Sequence, residues 1–192
     1  MVEKASPSEK KHIILLSDNK HEEIMSLITS KDFRGFSPLG SQLFIERGNS
    51  KEIMAYVVSH PLPERGELAL FKRGISSEII AYVLLHQPHS DSEHYLIKRG
   101  VHPEIMALLE NHKLFPGSVV ALIQRSQPDE IEKAARKGIF DEEGELELIR
   151  FGVHRLIMIY IGCRELQPKA KEALYRRNHT DEISLYEKKY MR

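Results

Sequence analysis

The sequence contains no tryptophan and one cysteine, Cys163. A single cysteine excludes an intramolecular disulfide framework and fits a reducing compartment. No run of about 18 apolar residues occurs, so no membrane-spanning helix is expected. The first residues, MVEKASPSEKKH, are polar and lack the apolar core of a secretory signal. A cytoplasmic protein with no membrane partner is therefore expected. An excess of one charge is missing too. Twenty-eight basic residues face 28 acidic ones, which leaves no global field to gather nucleic acid or anionic lipid. Catalytic signatures are also absent: there is no G-x-S-x-G, no glycine-rich phosphate loop, no H-E-x-x-H and no C-x-x-C. The expectation is a protein that is not an enzyme and has no cofactor and no metal site.

What is present is a tandem repeat. The stretch EHYLIKRGVHPEIMALL from Glu93 becomes ELALFKRGISSEIIAYV from Glu67, and VVALIQRSQPDEIEKAA from Val119. Aligned on the glycine of Arg-Gly, one column reads Asn19, Gly48, Gly74, Gly100, Ser126, Gly152 and Asn178. Every step from Gly48 onward is 26 residues, and the first is 29. Five positions later stands isoleucine in all seven units: Ile24, Ile53, Ile79, Ile105, Ile131, Ile157 and Ile183. The two positions at four and three residues before the column are apolar in every unit, from Leu15/Leu16 to Leu174/Tyr175. Self-similarity at one short period marks a repeat architecture.

Each unit predicts two helices. One begins just after the glycine column, as in SSEIIAYVLLH (Ser76–His86), and is apolar nearly all round, so cover is expected on both sides. A proline-bearing loop follows. The second helix, shorter and more polar, ends in basic residues and then Gly or Asn, where a left-handed residue is expected. Ser126 predicts a distorted corner. Such pairs bury their faces only by stacking. The architecture resembles the HEAT and armadillo α-solenoids, and the 26-residue period is closer to the leucine-rich-repeat-variant type. That resemblance covers the chain as architecture and matches no family's functional motif. It implies an all-α, right-handed α-solenoid of about seven 26-residue two-helix repeats.

Residues 1–11 read as a disordered leader, and 12–192 as a single solenoid domain. Phe33 and Phe36, in the irregular stretch Ser30–Gly40, either plug the groove between the first two units or form an exposed contact loop. The fifth unit is degenerate: Glu132 and Lys133 stand where its neighbours are apolar. Between Asp129 and Glu147 stand eight acids and three bases. There Asp141, Glu142, Glu143 and Glu145 are a candidate acidic docking patch, with a solvated corner as the alternative. The sixth unit departs differently, with Phe151 in the arginine position and Leu156 in the glutamate position.

Three constellations invite chemistry. The first is the column Arg47, Arg73, Arg99, Arg125 and Arg177, joined by Lys72 and Lys98. It could follow a phosphate backbone or contact a partner. Five residues after each arginine stands Glu52, Glu78, Glu104, Glu130 or Glu182, so a structural ion-pair ladder is the competing reading. The second is histidine. His60, His86 and His112 share one column and His21, His102 and His154 another, while His86, His89, His94 and Asp91 cluster in sequence. The third is the tyrosine column Tyr56, Tyr82, Tyr160 and Tyr186, which reads as core whose hydroxyls need partners. The expected function is a non-enzymatic scaffold binding a protein or peptide on its curved face. The alternative is nucleic-acid binding through the Arg/Lys column and the basic C-terminal tail. A third reading, a nucleic-acid repair enzyme resembling the HEAT-like glycosylases, has least support.

Overall fold

The computed structural model describes residues 7–18 and 20–191. Most of the expected leader, 1–6, and the first member of the glycine column, Asn19, lie outside the described residues. The described chain is all-α with no strand among its residues. Its helices are α1 (Pro7–Ser17), α2 (His21–Ile28), α3 (Pro38–Arg47), α4 (Ser50–Ser59), α5 (Glu64–Arg73), α6 (Ser76–Leu85) and α7 (Ser90–Arg99). They continue with α8 (His102–Asn111), α9 (Pro116–Arg125), α10 (Pro128–Lys137), α11 (Glu142–Phe151), α12 (His154–Cys163), α13 (Pro168–Arg177) and α14 (Thr180–Tyr190). Residues 7–11 are thus the start of α1 and not part of a leader. Nor is the second helix of a unit shorter: from α3 to α13 every helix spans ten residues.

The expected single domain resolves into two compact units, up to Ser92 and from Glu93 onward. Within the first, α1 packs on α3 and α3 on α5, while α2 packs on α4 and α4 on α6. Within the second, α9 packs on α11 and α11 on α13, while α8, α10, α12 and α14 form the other row. Within each unit these helices meet the helix two further on, which is the packing a helical solenoid requires.

The repeat columns are the core. Ile53, Ile79, Ile105, Ile131 and Ile157 are fully buried, as are Phe44/Ile45, Leu70/Phe71 and Leu96/Ile97. Burying each such side chain contributes about 1.5–3 kcal/mol. Ile183 and Tyr175, in the last pair, are only half covered, because no further repeat follows among the described residues. Phe33 and Phe36 are buried plugs: Phe36 stacks on Phe44 and Tyr56, and His12 and His60 meet the two rings edge-on. The even helices are less covered than their composition suggested: Val58, Leu84 and Leu85 are exposed on their last turns.

A further column sets how closely the odd helices approach. Eight residues before the glycine column stand Gly40, Gly66, Ser92, Ser118, Gly144 and Ala170, all small and buried. A Cβ on Gly66 would lie 2.7 Å from Ser41 Oγ of α3, so only hydrogen fits there.

The turn between the two helices has two solutions. Gly74, Gly100, Ser126 and Asn178 take the left-handed conformation, with φ of 81°, 85°, 54° and 57°. Ser126 therefore forms an ordinary corner, not a distorted one. Gly48 and Gly152 are extended. They are needed for space, since a Cβ on Gly48 would stand 2.6 Å from the Phe44 carbonyl oxygen.

Candidate functional site

The glutamate that follows each glycine by four residues sits in the first turn of an even helix. Glu52, Glu78, Glu104, Glu130 and Glu182 are all completely buried. A buried carboxylate demands charged partners, and the arginine column supplies most of them. Arg73 Nε lies 3.2 Å from Glu78, Arg99 Nη1 2.8 Å from Glu104, and Arg177 Nε 3.3 Å from Glu182. Arg125 grips Glu130 with two nitrogens, both at 3.0 Å. The same guanidiniums reach back one repeat. Arg73 donates to the Ile45 carbonyl at 2.9 Å, and Arg177 to that of Ile149 at 3.0 Å. Basic groups there satisfy the last carbonyls of the preceding odd helix. Arg47 departs from the sequence pairing: it donates to the Ser17 carbonyl, and Glu52 is instead held in a capping box with Asn49.

The histidine column completes the clamps. His21 Nδ1 lies 2.8 Å from Glu52, His102 Nδ1 2.9 Å from Glu130, and His154 Nδ1 2.8 Å from Glu182. Each histidine serves the carboxylate of the next repeat, so these pairs are not visible within one unit.

A second set of carboxylates, seven residues before the glycine column, escaped the sequence reading although it too recurs at the repeat period. Glu67, Glu93 and Glu145 are completely buried. Tyr82 donates its hydroxyl to Glu67 at 2.6 Å, and Tyr160 does so to Glu145 at 2.8 Å. The backbone N–H groups of His89, Phe115 and Gln167, at the starts of the following odd helices, donate to the same three carboxylates at 2.9, 2.8 and 2.7 Å. Negative charge at a helix start is favourable. Burial pushes Glu145 above its ordinary value of 4.5, against the Gln167 and Tyr160 hydrogen bonds and the Arg164 charge. Burial and the adjacent carboxylate raise both tyrosines well above their usual range.

These placements revise the candidate surface residues. Arg73, Arg99, Arg125 and Arg177 keep at most 23% of their side chains exposed, whereas Arg47 and Lys98 are exposed. Of the acidic patch, Asp141 caps α11 through the Gly144 N–H, and Glu142 and Glu143 pair with Lys169. Glu145 points inward to Tyr160 and cannot dock a partner. The sequence cluster of histidines also disperses: His86 bonds the Val57 carbonyl and His89 bonds Glu67. Cys163 is half-buried and free.

Open clefts lie between consecutive odd helices. One of about 450 Å³ between α11 and α13 is lined by Leu146, Ile149, Arg150, Lys169, Glu172 and Arg176. One of about 470 Å³ between α9 and α11 is lined by Val120, Ile123, Gln124, Ser126, Glu147 and Phe151. A smaller one separates α3 from α5. Phe151 is 72% exposed beside its cleft. No described helix is long and apolar enough to cross a membrane. No family model, curated protein or solved structure matches this chain.

Proposed function

We propose that this protein is a non-enzymatic helical repeat scaffold that binds a protein or peptide segment along α9, α11 and α13. The observation that carries the reading is Phe151. In the other units with an arginine at this position, that arginine serves the stack. Unit six has Leu156 in place of the glutamate that the arginine serves, and the position holds a phenylalanine exposed to 72% at the lip of a mostly apolar cleft. Exposed aromatic surface beside a concavity marks interaction sites. The lone cysteine supports a reducing, cytoplasmic setting.

A test is to pan a phage-displayed random peptide library against the full chain. Enriched peptides are expected to bind at least about tenfold more weakly to Phe151→Glu, the loss of one interface anchor. Failure to enrich any peptide, or enrichment of peptides indifferent to Phe151→Glu, would sink the reading. Nucleic-acid binding through the arginine column needs Arg73 and Arg99 exposed and unpaired, and their pairing with buried glutamates speaks against it. Fluorescence anisotropy with labelled DNA and RNA is expected to show no salt-sensitive binding that depends on Arg73 and Arg99.

A further inference from the structure

The last clamp differs from the His102–Glu130–Arg125 clamp by one neighbouring residue. His154, at the start of α12, and Glu182, in the first turn of α14, repeat the His102–Glu130 pair, with Nδ1 to carboxylate distances of 2.8 and 2.9 Å. Beside them, the position after the glycine column holds His179, where the other units have Lys20, Asn49, Ile75, Val101, Gln127 and Val153. The structure shows where a polar side chain at this position points: in unit two, Asn49 Nδ2 lies 3.4 Å from His21 Nδ1. His179 is placed in the same way against His154, with ring centroids 6.0 Å apart. One ligand atom from each of His154, His179 and Glu182 falls within 4.8 Å of the others.

We propose that His154, His179 and Glu182 form a binding site for a divalent transition-metal ion of the Zn²⁺ type, joining the start of α12 to the start of α14. Two imidazoles and a carboxylate suit Zn²⁺, Ni²⁺ or Cu²⁺ and not Mg²⁺ or Ca²⁺. Metal–nitrogen bonds of about 2.0–2.1 Å hold tetrahedral ligand atoms roughly 3.4 Å apart. His154 Nδ1, now 2.8 Å from Glu182, must therefore draw back by about half an ångström, and the exposed His179 must close in by about an ångström. The carboxylate does not need to move. Glu182 is fixed from behind by Arg177, which lies 3.3 Å from Oε2 and also donates to the Ile149 and Gly152 carbonyls. This leaves Oε1, now bonded to His154, to face the metal. The ion takes the place of the proton between His154 Nδ1 and Glu182 Oε1, and solvent fills the remaining coordination positions. Tying two neighbouring even helices through one ion makes it a staple for the last repeat, a role separate from the partner binding proposed above.

The repeat supplies its own controls. His179→Asn removes the ligand while installing the residue that caps α4 at the equivalent position. Gln127→His would rebuild the triad on the His102–Glu130 clamp. Calorimetric titration of the full chain with Zn²⁺ near neutral pH is expected to give one ion per chain. It should also bring a rise in melting temperature that His179→Asn lacks. Losing a ligand should weaken binding by more than the 10–100-fold typical of losing a supporting outer-shell group. Adding Gln127→His to His179→Asn is expected to restore a single site. Absence of binding by the native chain, or unchanged binding by His179→Asn, overturns the proposal. Failure of the double variant to bind overturns the clamp geometry on which it rests.

Discussion

Units five and six present the same repeat position in two chemistries. In unit five, Glu130 is buried and held by Arg125 and His102. In unit six the carboxylate is gone: Leu156 is buried in its place, and the arginine position carries the exposed Phe151. The histidine position is vacated as well, since Pro128 stands 28 residues before Leu156, where His102 precedes Glu130. Carboxylate, guanidinium and imidazole thus leave together. A buried charge is tolerable only with its partners, and an apolar side chain fills the same volume without them. The clamp is one way of closing the stack, and leucine is another.

Leu156→Glu is expected to have the largest effect. It places a carboxylate in unit six without its arginine, costing about 3–5 kcal/mol in urea unfolding, the range for an uncompensated buried charge. Adding Phe151→Arg should recover most of that loss, and no recovery would deny that the two positions are coupled. The reverse exchange comes next. Arg125→Phe and Glu130→Leu should each destabilise, while the double variant returns towards the native value, with a coupling of about 0.5–3 kcal/mol. Additive effects would break the comparison.

Smaller effects appear in the pH dependence. Glu145, raised by burial, contributes a stability term fully present below 4.5 and lost as pH climbs through its higher folded value. Glu110 runs the opposite way. Lys133 and Lys137 hold it down at about 2 from an ordinary 4.5, so its contribution is present above 4.5 and fades as pH falls towards 2. Denaturant melts across pH should lose the first slope in Glu145→Gln and the second in Glu110→Gln. The smallest effect is expected for Phe151→Glu: an exposed site should change stability by no more than about 0.5 kcal/mol. A larger loss would mean that Phe151 supports the fold.

The arginine–glutamate ladder was legible because both partners lie five residues apart within one unit. The histidine partners were not. His102 reaches Glu130 across 28 residues, and that pairing exists only once α8 lies beside α10. The buried carboxylates Glu67, Glu93 and Glu145 were hidden for a related reason. On a polar helix a glutamate reads as solvated until the loop amide, joined at Glu67 and Glu145 by a tyrosine, is seen to close over it. Glu145 was accordingly grouped with the exposed acids beside it, although an odd helix turns it inward.

The 26-residue period, the invariant isoleucines and the paired apolar columns determined by themselves that the chain would be all-α and built of stacked helix pairs. Apolar residues recurring at one short period leave water when each helix pair stacks on its neighbours. Tertiary structure alone decided which polar residues went inside with them. A carboxylate can be buried only where a guanidinium, an imidazole, a hydroxyl or an amide from another helix arrives within about 3 Å. Those arrivals depend on the register between neighbouring helices, which no single repeat contains.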